Sequence, residues 1–310
     1  MAAQSRLLFS GILPEAEIPG FLEADFEVRP RHFKNCPFPG FGFDLAAFFG
    51  VLRDTDWMNS DAIDFYENHK HRKFTDLNMV GIEYSGSLTL DILLMMKARK
   101  LSIYVRALQK RHQSLRLLYH SVAATGVVAS HVNAFFSPAS AQAAGDHWDN
   151  HDLIALQVAG RKEWNVKDAP DLEAVIHMDK FIQPADYAVT DAKKYILEPG
   201  DALYIPRGCG HNALALDEDS LHLVLGVKPL HWHMVLEDWV ATRMLEDPAL
   251  RRSVYGKYQT GAPQIDQDRL ADVLKELTPD VLEKHIKTMT TKRTQRATLG
   301  DVGQTFAKDV

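Results

Sequence analysis

His147-Trp148-Asp149, with His211 further along the chain, offers two imidazoles and one carboxylate. Such a set can occupy one face of an octahedral metal and leave the other face open, which suits non-haem Fe(II) binding a cosubstrate and O2. In a strand, side chains at i and i+2 share a face. His147 and Asp149 would then aim together into a barrel, and Trp148 would point outward. His211 follows the turn-rich run Pro199-Gly200-Asp201-Ala202-Leu203-Tyr204-Ile205-Pro206-Arg207-Gly208-Cys209-Gly210 and opens another strand, so it can approach the same metal from across the barrel. The alternative, polar residues in a loop, needs two chance placements. His151 would share a helical face with His147, but Leu153-Ile154-Ala155-Leu156 reads as a strand. His151 is therefore expected to be structural or to orient a metal-bound imidazole.

Lys162 stands in Gly160-Arg161-Lys162-Glu163-Trp164. A cation projecting into an apolar barrel is costly unless an anion meets it, and a dicarboxylate cosubstrate would be that anion. Composition alone favours a surface lysine. Arg161 should face the opposite way. His69 and His71, in the charged run Glu67 to Lys73, could suggest a second metal site, but a solvated face is the better reading.

These residues need a β scaffold. Val127–Phe136, His151–Val158, Lys162–Val166, Lys194–Leu197, Ala202–Ile205, Asn212–Leu216 and Leu221–Val227 read as short strands between Gly/Pro turns, the pattern of a sandwich or jelly roll. Before them, residues 1–60 are broken by Pro and Gly, with a short helix over Leu45–Leu52 capped by Asp44. Thr89–Lys100 and Gln113–Ala124 have helical spacing, and Ser102–Leu108 reads as a strand. After Pro229, helices are expected over His231–Leu245, Pro248–Tyr255, Gln267–Leu277 and Pro279–Thr288, the last capped by Asp280 or Thr278. The fold expected is mainly β with α additions: a double-stranded β-helix core, a mixed α/β N-terminal region and a helical C-terminal appendage. The division drawn is a catalytic domain over 1–228 with its β core at about 100–228, a helical region over 229–290, and a loose polar tail over 291–310.

The chain has 310 residues, 46% hydrophobic and 25% charged, as in ordinary globular proteins. Its formal charge of −6 argues against a nucleic-acid partner. Cys36 and Cys209 form no disulfide scaffold and no CxxC zinc pattern. Residues 1–12 lack the marks of a signal peptide, and no apolar run is long enough to span a membrane. A cytoplasmic location is the expectation.

Gly145 to Asp152, Leu156 to Trp164 and Pro199 to His211 together resemble the cupin-like JmjC oxygenases, and most nearly the ribosomal oxygenase branch. The resemblance runs from about Asn133 to Val227. It implies a double-stranded β-helix, Fe(II), 2-oxoglutarate and O2, with His147, Asp149 and His211 as metal ligands and Lys162 at the distal carboxylate of the cosubstrate. Asn133-Ala134-Phe135-Phe136-Ser137-Pro138 matches the strand entering the site, which makes Asn133 a cosubstrate contact. Phe135 stands where the family often has Tyr, and Gly226 where it often has Ser. His222, on the strand face of Gly226, could replace part of those contacts. The helices after Pro229 imply a homodimer, and the length left after them is short for the family's winged helix. The activity implied is hydroxylation of a side chain of a peptide or protein. A free amino acid or natural-product substrate is the alternative, and a non-catalytic metal-binding cupin is another. A metal-dependent cupin enzyme independent of 2-oxoglutarate would have no use for Lys162.

Overall fold

The computed structural model describes residues 8–54, 61–73, 77, 89–170, 187–251 and 267–306. Its contacts divide the chain into two units, one of Met1–Val122 with Ser130–Lys228 and one of Ala123–Ala129 with Pro229–Val310.

The first unit is built on two antiparallel sheets. The large sheet has the order β1 (Arg31–Phe33), β9 (Ala202–Ile205), β6 (Asp152–Ala159), β11 (Ser220–Pro229), β5 (Val128–Ser137), β4 (Ser102–Val105), β2 (Ile63–Glu67) and β3 (Lys70–Arg72). The small sheet is β10 (His211–Ala215), β7 (Lys162–Val166) and β8 (Lys193–Leu197). Leu153, Ala155 and Leu203 of the large sheet and Trp164, Val166 and Leu197 of the small one bury into one core. This is the β-rich double-stranded helix that the strand pattern predicts. The strand β7 alternates buried and half-exposed residues from Lys162 to Val166, the period of a half-buried strand. Gly160 makes the turn into it at φ 64°, where the Asp219 carbonyl leaves no room for a Cβ.

The N-terminal region holds more structure than its prolines suggest. A helix α1 (Ile18–Ala24) and strand β1 pack there, and β1 extends the large sheet through β9. Phe21 meets Tyr204 edge-on at 4.8 Å. The Tyr204 hydroxyl accepts from the Glu27 N–H at 2.7 Å and donates to buried Asp152 at 2.8 Å. Burial pushes the Asp152 carboxyl up to about 6, against the hydrogen bonds it accepts from the Arg207 N–H and Tyr204. Tyr204→Phe strands both partners, and urea unfolding should show a loss of about 1–3 kcal/mol.

Helix α2 (Leu45–Arg53) starts as expected, with Asp44 Oδ1 accepting from the Ala47 N–H at 2.8 Å. α3 (Leu90–Ala98) and α4 (Gln113–Ala123) match the two amphipathic stretches. The charged run at Glu67–Lys73 is a hairpin rather than plain surface. His71 and Lys73 lie 2.9 and 2.8 Å from fully buried Asp64, which Arg106 also contacts. His71 is thus committed to a carboxylate.

In the second unit, α5 (Trp232–Glu246) leads to a 3-10 turn at Pro248–Arg251, and α6 (Gln267–Lys275) and α7 (Pro279–Phe306) come after it. The rest of the helix expected to Tyr255 lies outside the described residues. Thr278, not Asp280, accepts from the Val281 N–H at the start of α7. The stretch from Thr291, expected to be a loose tail, continues as helix to Phe306. Arg293 donates to the Val127 carbonyl at 3.2 Å, and Thr294 to the Thr290 carbonyl at 3.1 Å. The Arg293 bond is a tertiary contact that supports this turn of the helix where apolar periodicity is weak.

Candidate metal centre

Residues 147–149 do not form a continuous strand. His147 makes an isolated two-residue bridge with His211, the first residue of β10. The His147 N–H donates to the His211 carbonyl at 3.1 Å, and the His211 N–H donates back at 2.7 Å. The Asp149 carbonyl accepts from Gly208 at 2.9 Å. Trp148, expected to point outward, is buried (3% exposed). The loop path replaces the strand because Gly145 and Asp146 turn the chain directly onto β10.

The donor atoms of His147, Asp149 and His211 lie within 4.8 Å of one another. His147 Nδ1 donates to the Gly145 carbonyl and His211 Nδ1 to the Cys209 carbonyl, each at 2.9 Å. Those bonds select one tautomer and leave both Nε2 lone pairs free for a cation. His211 Nε2 stands 3.8 Å from Asp149 Oδ2. Burial and the neighbouring His147 depress His211 to about 4, so its ring is neutral at physiological pH. Burial alone would raise Asp149, but His151, His147 and His211 around it hold the carboxyl below its usual range. Two nitrogen donors and an ionised carboxylate fit a divalent metal with vacant positions.

The centre opens on a cavity of about 320 Å³. Lys162 lies on its wall, 1% exposed. Its ammonium donates to Ser137 Oγ at 3.1 Å and to His222 Nδ1 at 3.3 Å, and Ser102 donates to the same Ser137 oxygen at 3.0 Å. Among the described residues no carboxylate meets it. Burial therefore lowers Lys162 to about 7. Arg161 faces away and pairs with exposed Asp217 at 2.8 Å.

Asn133 lines the cavity, with its amide directed elsewhere: Oδ1 accepts from the Ala107 N–H at 2.9 Å and Nδ2 donates to the Tyr104 hydroxyl at 2.8 Å. His222 stacks on Phe135 at 5.2 Å with nearly parallel rings. His151 lines the cavity beside His131, ring centroids 4.9 Å apart.

Two functional groups escape a reading of the sequence. Tyr104 lies opposite Phe135 in the β4–β5 register and stacks on it at 4.3 Å. It brings a phenol to the cavity from the next strand, where Phe135 has none. His131 fills the space above Gly226, and a Cβ at 226 would overlap its ring. Glycine at 226 and imidazole at 131 come as a pair. Alternation marks both residues as strand members, but only the cross-strand register shows what they face.

Residues 109–235 match the sequence family described as a JmjC domain. The chain is 35% identical over 100 residues to the bifunctional lysine-specific demethylase and histidyl-hydroxylase NO66 of Drosophila grimshawi, covering 31% of this chain and 13% of that protein. Ribosomal oxygenase 2 of Rattus norvegicus is 29% identical over 155 residues, covering 47% of this chain and 31% of that one. The chain thus spans less than a third of the length of these two relatives. Among solved structures, Escherichia coli YcfD superposes with a TM-score of 0.54 at 19% identity, covering 90% of this chain and 71% of that one. A second structure of YcfD, a ribosomal oxygenase in complex with cobalt and 2-oxoglutarate, gives 0.53 at 18%, with 90% and 72% covered. These structural likenesses establish a shared fold.

Proposed function

We propose that the chain is an Fe(II)- and 2-oxoglutarate-dependent oxygenase that hydroxylates a side chain of a peptide or protein. The observation carrying this reading is a single cavity with two kinds of unmet demand. On one wall, two imidazole Nε2 atoms and a carboxylate converge, and among the described residues no lysine or arginine pairs with that carboxylate. On another, a buried ammonium lacks an anion among the described residues. A metal-chelating keto acid with a distal carboxylate answers both. The ribosomal oxygenases and NO66 among the relatives support a protein substrate.

His147, Asp149 and His211 would hold the metal, with Asp149 neutralising one of its charges. Lys162, steadied by Ser137 and His222, would hold the distal carboxylate by a charge-assisted hydrogen bond. Phe135, Trp164 and Val224 make the cavity wall apolar and exclude water. When bound, Fe(II) with 2-oxoglutarate and O2 supplies oxidative decarboxylation to succinate and CO2 coupled to C–H hydroxylation.

Purified protein with Fe(II) should release succinate from 2-oxoglutarate in step with addition of one oxygen to a peptide. Turnover with amino acids or small natural products alone would redirect the substrate assignment. Metal binding with no succinate from any substrate would replace the enzyme by a binding cupin.

We also propose a homodimer formed through α5. Trp232, Leu236, Val240 and Met244 recur at four-residue spacing and are 65%, 40%, 43% and 38% exposed, an apolar stripe along one helix. Sedimentation should give a dimer for the natural chain and a monomer for Leu236→Glu/Val240→Glu; a monomeric natural chain would remove the proposal. Cys36 and Cys209 are buried and not in a disulfide, which fits a reducing compartment such as the cytoplasm. Among the described residues, no helix is long and apolar enough to cross a membrane.

A further inference from the structure

The bridge that carries His147 and His211 is short. Two backbone hydrogen bonds make the bridge, a third runs from the Gly208 N–H to the Asp149 carbonyl, and glycine precedes the bridge on both sides, at Gly145 and Gly210. A metal site must be held to roughly 0.5 Å, and backbone bonds alone leave the side chains beside the two histidines untied to each other. The residues next to the histidines supply the missing constraint. Asp146 Oδ1 accepts from Asn212 Nδ2 at 2.7 Å, joining the residue before one histidine to the residue after the other. Asp146 Oδ2 accepts from the Val189 N–H, also at 2.7 Å. Asn212 Oδ1 accepts from Asn165 Nδ2 at 3.0 Å, and Asn165 is the register partner of Asn212 on β7. The chain of bonds runs from Val189 through Asp146 and Asn212 to Asn165, and both Asp146 carboxylate oxygens and Asn212 Oδ1 have a donor.

We propose that Asp146 and Asn212 are positioning residues for the metal centre: their side-chain bond locks the His147–His211 bridge so that both imidazoles hold one point. The proposal rests on the reading of His147, Asp149 and His211 as a metal site. The two residues touch neither metal nor cosubstrate and act through the backbone beside each histidine.

The polarity of the bond makes a swap possible. Asn212→Asp alone sets two carboxylates against each other across 2.7 Å. Combined with Asp146→Asn, the bond re-forms with donor and acceptor exchanged. The amide oxygen at 146 still accepts from Val189, and the carboxylate at 212 still accepts from Asn165. Co(II) titration of the full chain, followed by the visible absorption of the bound ion, reads the effect directly. Asn212→Asp should weaken Co(II) binding about 10- to 100-fold, as loss of an outer partner of a metal ligand does, and the Asp146→Asn/Asn212→Asp double variant should recover most of it. Asn212→Ala, which breaks the bond without facing charges, should also weaken binding if Asn212→Asp does not fold. A double variant as weak as Asn212→Asp overturns the lock, as does an Asn212→Ala protein that binds like the natural chain. Failure of the natural chain itself to bind Co(II) through histidine removes the metal site, and the lock with it.

Discussion

Asp149→Ala should reduce succinate release to background and weaken Co(II) binding by more than about 100-fold, beyond what loss of an outer partner of a ligand costs. The carboxylate is the only anionic donor of the three groups, so its loss leaves two imidazoles to hold a divalent charge. His147→Ala should behave alike, because the remaining His211 and Asp149 sit 3.8 Å apart on one side of the site. The fold should survive both changes, since among the described residues Asp149 makes no side-chain hydrogen bond that another element depends on, and the backbone bonds of the bridge remain. Isothermal titration with Co(II), paired with thermal unfolding, separates loss of metal from loss of fold. Retained tight binding in Asp149→Ala would place the metal elsewhere.

Lys162→Met should have the opposite profile, with metal retained and 2-oxoglutarate affinity lost. Removing one partner of a buried, hydrogen-bonded charge pair costs about 2–5 kcal/mol, which corresponds to roughly 30-fold or more in the dissociation constant. Methionine keeps the volume, so the cavity wall stays intact. Equal loss of metal in Lys162→Met and Asp149→Ala would mean that Lys162 has been given the wrong task.

The pH dependence follows from the same group. Burial holds the free-protein ammonium at about 7, and a bound carboxylate favours the charged form. Above pH 7 binding must take up a proton, so affinity for 2-oxoglutarate should fall by up to about tenfold per pH unit, a slope that Lys162→Met removes. Ligand-free stability carries the matching sign. The folded value lies below the unfolded value of about 10.4, so the unfolded chain binds the extra proton between the two. Burial of Lys162 costs most below pH 7, and its contribution improves as the pH rises. Ligand titrations across pH 6.5 to 8.5 read the first effect and urea titrations the second.

The residues with chemistry were legible in the sequence because their signals are local. The HxD spacing, the inward phase of Lys162 and the capping of α2 by Asp44 need only a few neighbouring residues. The strands of the core and the helices after Pro229 were legible for the same reason. Three things were not. The strand β1 and the β2–β3 hairpin are short, and they are held by β9 and by Asp64 rather than by their own periodicity. The continuation of α7 past Thr291 carries a polar contact, Arg293 to the Val127 carbonyl, that hydrophobic spacing does not report. The HxD segment leaves strand geometry because β10 captures it.

The sequence by itself determined the β-rich class and which side chains offer imidazole, carboxylate and ammonium groups, since residue identity and alternation suffice for those, whereas the burial of Lys162 came from the packed core. Tertiary structure alone decided that both imidazoles turn Nε2 to one point, that Tyr104 supplies the phenol Phe135 lacks, that His131 occupies the space left by Gly226, and that Asp146 ties one ligand's neighbour to the other's. Each of these depends on which residues face one another across strands distant in the chain. That register is set by the whole packed core, and no local pattern contains it.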